Sequence, residues 1–141
     1  MYKFSKESLD NLVGVHPILF DICSDVMAAQ ILDFSVREGV RTLEKQKEYV
    51  AKGVSKTMNS KHLIQSDGYG HAVDLYPHPI DMKAVTAGNW RECSRFALLA
   101  GAMFMAARNR KIVLRWGGDW DSDGETLDHT FSDFPHFELV I

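Results

Sequence analysis

The longest apolar run of the chain, FALLAGAMFMAA at residues 96–107, limits what the chain can fold into. Twelve residues are too few to cross a bilayer as a helix, which needs about 20. The run therefore predicts a helix that is buried in a protein core. Asn89 is a suitable N-cap for this helix, which we expect to continue to about Arg108.

Shorter helices and strands are predicted around this helix. Pro17, a favourable first helical residue, begins apolar residues at helical spacing that extend to residue 32. Thr42 predicts the start of another helix, which ends near Lys52 at Gly53. Alternating apolar residues predict strands at residues 33–37, 71–76, 111–116 and 136–141, the last with Phe137, Leu139 and Ile141 on one face. The fold class predicted by this mix is α+β, a small antiparallel sheet with helices packed on it.

The net charge and the N-terminal segment argue against two kinds of partner, nucleic acid and membranes. A net charge of −3 leaves no basic excess to neutralise phosphates, so we expect no binding of nucleic acid. The opening segment MYKFSKESLDNL lacks the apolar region of a signal peptide. We therefore expect a chain that is made in the cytoplasm without a signal peptide and does not insert into a membrane. Its length predicts one domain over residues 1–141, and we expect a monomer.

Histidine and aspartate occur together at three places that suit a metal site: His62, the pair His71 and Asp74, and the pair Asp133 and His136. A hydrolytic zinc site needs about three protein ligands, one open position for water and a base beside that water. The two residues between Asp133 and His136 allow the imidazole to bind a metal while the carboxylate faces the water. The spacing alone also permits ordinary surface histidines.

Four motifs carry a resemblance to a known family. Residues 60–62 (SKH) followed by residues 70–75 (GHAVDL) resemble the SxHxxGxAxD signature of the D-alanyl-D-alanine carboxypeptidase family of zinc peptidases. Residues 133–138 (DFPHFE), 37–42 (REGVRT) and 117–120 (GGDW) resemble its acid-x-x-His, G-x-R-T/S and G-x-D-W segments. In motif order and length, the chain over residues 33–141 is most similar to the phage L-alanyl-D-glutamate endopeptidases, the endolysins of this family.

The chain departs from the signature between the first two ligands. The signature places its histidine seven positions before its aspartate, whereas His62 precedes Asp74 by twelve. An insertion of five residues within residues 64–69 explains the difference, since loop closure entropy grows slowly with length. This alignment makes His62 and Asp74 ligands, places Asp67 in the insertion and leaves His71 at a variable position. His71 lies three residues from Asp74, so a regular strand turns the two side chains to opposite faces.

The resemblance implies a peptidoglycan-degrading zinc enzyme that hydrolyses the L-Ala–D-Glu bond of the stem peptide, with zinc at the sheet edge and its loops. It implies His62, Asp74 and His136 as zinc ligands and Asp133 as the general base for the zinc-bound water. Arg41 would pair with the oxyanion or with a substrate carboxylate. Ser60 would position substrate or support His62, and Glu138 would support the metal ligands. The enzyme would be made in the host cytoplasm and reach the wall after release through the inner membrane, without a separate wall-binding domain.

A second metal pattern lies in DWDSDGETLD, residues 119–128. Asp119, Asp121 and Asp123 with Gly124 match positions one, three, five and six of a calcium loop. Position twelve is Thr130 rather than glutamate, and Glu125 and Asp128 are the acidic residues that would supply the missing oxygens. A regulatory calcium site and a solvated acidic turn are both compatible with this segment.

Two other functions stay open at this level. One is a D-Ala-D-Ala carboxypeptidase or dipeptidase of the same family. The other is a non-catalytic zinc or wall-binding module. The acid at Asp133 argues against the second, because a purely structural zinc site is closed by a fourth ligand and needs no base.

Overall fold

Helices and short strands alternate along residues 1–55, 57–124 and 133–141, the part of the chain that the computed structural model describes. In chain order they are α1 (Lys6–Asn11), α2 (Pro17–Ala28), β1 (Phe34–Glu38), α3 (Leu43–Ala51), β2 (Ala72–Pro77), α4 (Met82–Thr86), α5 (Trp90–Asn109), β3 (Leu114–Gly117) and β4 (Asp133–Leu139). The strands pair antiparallel in the order β1-β2-β4-β3. The prediction of an α+β fold with one antiparallel sheet is confirmed.

The helix boundaries follow from residues that satisfy the first free backbone N–H groups. Thr42 accepts a hydrogen bond from the Lys45 N–H at 3.2 Å and caps α3. Asn89 accepts from the N–H groups of Arg91 and Glu92 and caps α5. Each such cap contributes about 1 kcal/mol to helix stability. These starts agree with the sequence prediction.

The end of the chain differs from the prediction. The last strand was expected over residues 136–141, but β4 begins at Asp133 and ends at Leu139. Pro135 fits in this central strand because the pairing jumps from Trp116–Phe137 to Gly117–Asp133, so the proline has no ladder partner on β3. Ile141 is 63% exposed and takes no part in the core, because the strand has ended before it. Helices α1 and α4 were not predicted, since both are too short to give a clear period.

The two faces of the sheet separate the core from a set of polar side chains. Val73 and Leu75 of β2 and Phe137 of β4 are fully buried in the same apolar cluster as residues of α2 and α5. Each such side chain contributes about 1.5–3 kcal/mol through burial. Because side chains alternate along a strand, Asp74 and His136 lie on the other face. The sheet thus gives these polar residues a rigid support.

Gly117 and Gly101 give a matched pair of predictions about stability. A Cβ on Gly117 would lie 2.0 Å from the backbone oxygen of Asp133, whereas a Cβ on Gly101, exposed on α5, would meet nothing within 4 Å. We expect Gly117→Ala to lower the free energy of unfolding by about 1–3 kcal/mol. Gly101→Ala should raise it by about 0.5–1 kcal/mol. Urea denaturation measures both, and equal effects of the two substitutions would contradict the close approach at Gly117.

Within the described ranges, no helix is both long enough and apolar enough to cross a membrane.

Candidate active site

An open cavity of about 750 Å³ lies over the polar face of the sheet. Strands β1, β2, β3 and β4 contribute side chains to its floor, and the segment before β2 contributes part of its wall. Its lining includes Arg41, Ser60, His62, Asp74, Asp133 and His136. The cavity therefore gathers the residues for which catalytic, substrate-binding or zinc-binding roles were predicted.

His62, Asp74 and His136 converge at the floor of this cavity. Asp74 and His136 are paired across β2 and β4 in the sheet register. Asp74 Oδ1 lies 3.1 Å from His62 Nε2 and 3.5 Å from His136 Nδ1. One ligand atom from each of the three residues lies within 4.8 Å of the other two. Two imidazoles and a carboxylate at this separation have the composition of a zinc site.

The second nitrogen of each imidazole is held by a group outside the trio. His62 Nδ1 lies 2.7 Å from the backbone oxygen of Gly39, which can only accept, so Nδ1 carries a proton. His136 Nε2 lies 2.8 Å from Glu138 Oε1. The nitrogens that face Asp74 are thus Nε2 of His62 and Nδ1 of His136. This arrangement fits a metal, because metal-bound imidazoles commonly donate their other N–H to a carbonyl or a carboxylate.

Asp74 and His136 shift each other's pKa values toward their charged forms. Burial alone would raise the pKa of Asp74, but hydrogen bonds from His136 and His62 outweigh it and hold that pKa well below its usual range. Burial alone would lower the pKa of His136, but its hydrogen bonds to Asp74 and Glu138 raise it to about 9. Asp74 is therefore a carboxylate at neutral pH, which is the form that binds a cation.

Asp133 lines the same cavity at the first position of β4. Burial, and then the negative charge of Asp74, raise the pKa of the Asp133 carboxyl. A carboxyl with a raised pKa lies closer to the range in which it can both accept and donate a proton near neutral pH. The pairing between β3 and β4 changes register between Trp116 and Gly117. This irregularity explains why the Asp133 side chain, at the start of β4, faces the cavity.

Arg41 is held from three sides at the edge of the cavity. Its Nε donates to Glu38 Oε1, and its Nη1 donates to Gln46 Oε1 at 2.7 Å. Its guanidinium carbon lies 4.6 Å from the centre of the Tyr49 ring. Sequence reasoning did not identify Glu38, Gln46 or Tyr49. The sequence signal that could have indicated this support is Gln46, because it is a polar residue on the inward face of α3.

Ser60 and Glu138 support the two histidines. Ser60 Oγ accepts a hydrogen bond from the backbone N–H of His62 at 3.2 Å. Glu138 holds His136 and also lies 3.6 Å from Arg115 Nη1. Burial alone would raise the pKa of Glu138, but the hydrogen bond from His136 outweighs it and lowers the pKa.

His71 lies in a different cluster. Its Nε2 is 2.7 Å from Asp67 Oδ2, and its ring packs edge-on against His16 with centroids 5.4 Å apart. The structure thus brings His62, rather than His71, to Asp74. Asp67 stands in a tight turn, where its Oδ1 accepts from the Tyr69 N–H at 3.1 Å. This turn belongs to the segment in which the sequence predicted an insertion.

The acidic loop is described in part. Asp119, Asp121 and Asp123 each offer an oxygen within 4.8 Å of the others. Asp119 is buried and accepts hydrogen bonds from the N–H groups of Asp123 and Gly124. Burial, and then the charge of Asp123, raise the pKa of Asp121. Glu125 and Asp128, also predicted as calcium ligands, lie outside the described residues.

Comparisons with known proteins agree with this geometry. A model of the phage L-alanyl-D-glutamate peptidase family matches residues 1–140. The L-alanyl-D-glutamate peptidase of Escherichia phage T5 is 30% identical, over 99% of this chain and 98% of that protein. The crystal structure of the Serratia marcescens L-Ala D-Glu endopeptidase ChiX superposes with a TM-score of 0.73 at 35% identity, covering 98% of this chain and 90% of that one.

Proposed function

The chain belongs to the phage L-alanyl-D-glutamate peptidase family, and from this premise we propose that it is a zinc peptidase that hydrolyses the L-Ala–D-Glu bond of the peptidoglycan stem peptide. The observation that carries the proposal is the convergence of His62, Asp74 and His136 beside Asp133 in one open cavity. The catalytic unit is one domain over residues 1–141, acting as a monomer on the cell wall.

His62, Asp74 and His136 are proposed to hold the zinc through the atoms that already face one another. When bound there, zinc supplies Lewis acidity that lowers the pKa of a coordinated water from 15.7 to about 7. The hydrogen bonds to Gly39 and Glu138 fix which imidazole nitrogens are available. This supports the proposal, because the atoms that would bind zinc are already oriented toward one another.

Asp133 is the proposed general base. Its carboxylate accepts a proton from the attacking water and later delivers it to the amine of the departing D-Glu. The raised pKa of Asp133 favours both transfers, because its protonated and deprotonated forms are then closer in free energy at neutral pH. Arg41 is proposed to donate to the negative charge that develops on the scissile carbonyl oxygen, or to a substrate carboxylate. Ser60 lines the cavity and accepts from the His62 N–H, and it is proposed to position substrate or to support His62.

Digestion of a defined muropeptide tests the proposed bond. We expect products that end in L-Ala and products that begin with D-Glu. Release of terminal D-Ala would instead indicate a carboxypeptidase or dipeptidase of the wider family. Zinc binding without hydrolysis of any of these bonds would indicate a non-catalytic module.

Calcium is proposed as a regulator that binds at Asp119, Asp121 and Asp123. Mutual repulsion of these carboxylates is relieved by a cation, and the loop leads along the chain to Asp133 and His136. Since a displacement of about 1 Å can cost about 10²-fold in rate, ordering this loop should raise activity. We expect calcium at up to about 1 mM to activate the zinc-loaded enzyme without replacing zinc.

A titration of activity in calcium buffers measures this response. The double variant Asp121→Ala/Asp123→Ala should keep its zinc and lose the response. If the activity of the unmodified protein does not change with calcium concentration, the calcium proposal is wrong and the segment is a solvated acidic turn.

A further inference from the structure

Gln46 is a polar side chain with no exposed surface, in the middle of α3. Its Oε1 accepts from Arg41 Nη1 at 2.7 Å. Its Nε2 donates to Ser55 Oγ at 2.9 Å and to the backbone oxygen of Thr57. A buried amide is costly unless its hydrogen bonds are made, and Gln46 makes them at both ends.

Its partners on both sides belong to the cavity. Arg41, Ser55 and Thr57 all line it, while Gln46 itself stands behind them. Gln46 therefore ties the guanidinium of Arg41 to the wall formed by Ser55 and Thr57, which is here called the 55/57 wall. The link spans residues that are nine and eleven positions from Gln46 along the chain.

The position of Arg41 depends on this link and on two further contacts. Glu38 receives its Nε, and the ring of Tyr49 covers one face of the guanidinium. Among the described residues, no hydrogen bond or ion pair is made to Arg41 Nη2, so its two N–H groups are the donors that can meet a substrate oxygen. Donors that are already oriented need no reorganisation when negative charge develops in the transition state.

We propose that Gln46 is a positioning residue for catalysis, which holds Arg41 in register with the 55/57 wall so that Nη2 meets the developing charge. This inference rests on the role of Arg41 in the proposed function. Glu38 and Tyr49 do not replace Gln46, because a hydrogen bond at Nε and a ring against one face leave both Nη atoms without a hydrogen bond that sets their position. The link to the wall also makes the position of Arg41 depend on residues that line the cavity.

A double-mutant cycle separates this role from simple packing. The variants are Q46M, R41A and the double variant, with K47M as a matched control on the exposed side of α3. Each is prepared with its metal, and zinc content, free energy of unfolding, kcat and KM are measured on a synthetic stem peptide. A methionine keeps the volume of Gln46 and removes all three hydrogen bonds.

We expect Q46M to keep its zinc and to lose about 10- to 100-fold in kcat, with a smaller change in KM. The reason is that Arg41 loses a hydrogen bond that sets its position, and a displacement of about 1 Å can cost about 10²-fold in rate. In the R41A background the same substitution should change kcat by less than about twofold, since its effect passes through Arg41. K47M should retain the activity of the unmodified protein. If Q46M does not fold, Q46N replaces it in the cycle, because its shorter side chain does not reach Arg41.

The outcomes distinguish this inference from the function on which it rests. Full activity of R41A would remove Arg41 from the mechanism. A large loss in R41A with an unchanged kcat in the Gln46 variant would overturn the positioning role and leave the proposed function standing. An equal loss from the Gln46 variant in both backgrounds would likewise overturn it, because Gln46 would then act independently of Arg41.

Discussion

His62→Ala is expected to lose both its bound zinc and its peptidase activity. The imidazole is almost completely buried, lies 3.1 Å from Asp74 Oδ1 and is held by the backbone oxygen of Gly39, and alanine offers no atom that could bind a metal in its place. Removing one of the three proposed protein ligands would leave two, which is below the number that catalytic zinc sites use. Zinc per chain, measured by mass spectrometry of the metal, and hydrolysis of a stem peptide give the two readouts.

His71→Ala is the matched control. It also removes a buried histidine that contacts an aspartate, but this pair lies in the other cluster, with Asp67 and His16. The variant should keep zinc and activity. Zinc that survives in His62→Ala and disappears in His71→Ala would mean that the insertion between the ligands has been placed wrongly.

Asp133→Asn is expected to keep zinc and lose about 10²–10⁴-fold in rate, the usual contribution of a general acid–base group. The amide matches the carboxylate in size but cannot accept the proton of the attacking water. Stability should not fall, because a raised pKa means that folding disfavours the charged carboxylate, and the amide is neutral at every pH. Single-turnover kinetics on the zinc-loaded variant and urea denaturation test the two statements.

Glu138→Gln provides the comparison for Asp133→Asn. Glu138 contacts His136 from the side away from Asp74, so its loss should weaken zinc binding more than it slows the zinc-loaded enzyme. Nearly full activity of Asp133→Asn together with a large loss of rate in zinc-loaded Glu138→Gln would transfer the role of base to Glu138.

The sequence predicted the parts of the site that lie in short motifs. The resemblance to the phage L-alanyl-D-glutamate endopeptidases is confirmed by the family match. The resemblance implies His62, Asp74 and His136 as a trio of ligands, and the structure brings the three side chains together. Alternation along the strand predicted at residues 71–76 already separated His71 from Asp74, because strand periodicity is a local property of the sequence.

The remaining features depend on contacts between distant residues. No local pattern states that Gln46 reaches Ser55 and Thr57, because that link exists only once α3 packs beside the wall. The start of β4 at Asp133 was missed for a similar reason. A proline normally interrupts a central strand, and only the jump in register against β3 makes Pro135 acceptable there.

Digestion of purified peptidoglycan with and without a zinc chelator tests the central claim most directly. The products are analysed by mass spectrometry and by labelling of new amino termini, and zinc is added back to the chelated sample. The account predicts new amino-terminal D-Glu in the untreated sample, none after chelation, and recovery on addition of zinc. Release of amino-terminal D-Glu at an undiminished rate by protein that has been shown to contain no metal would contradict it.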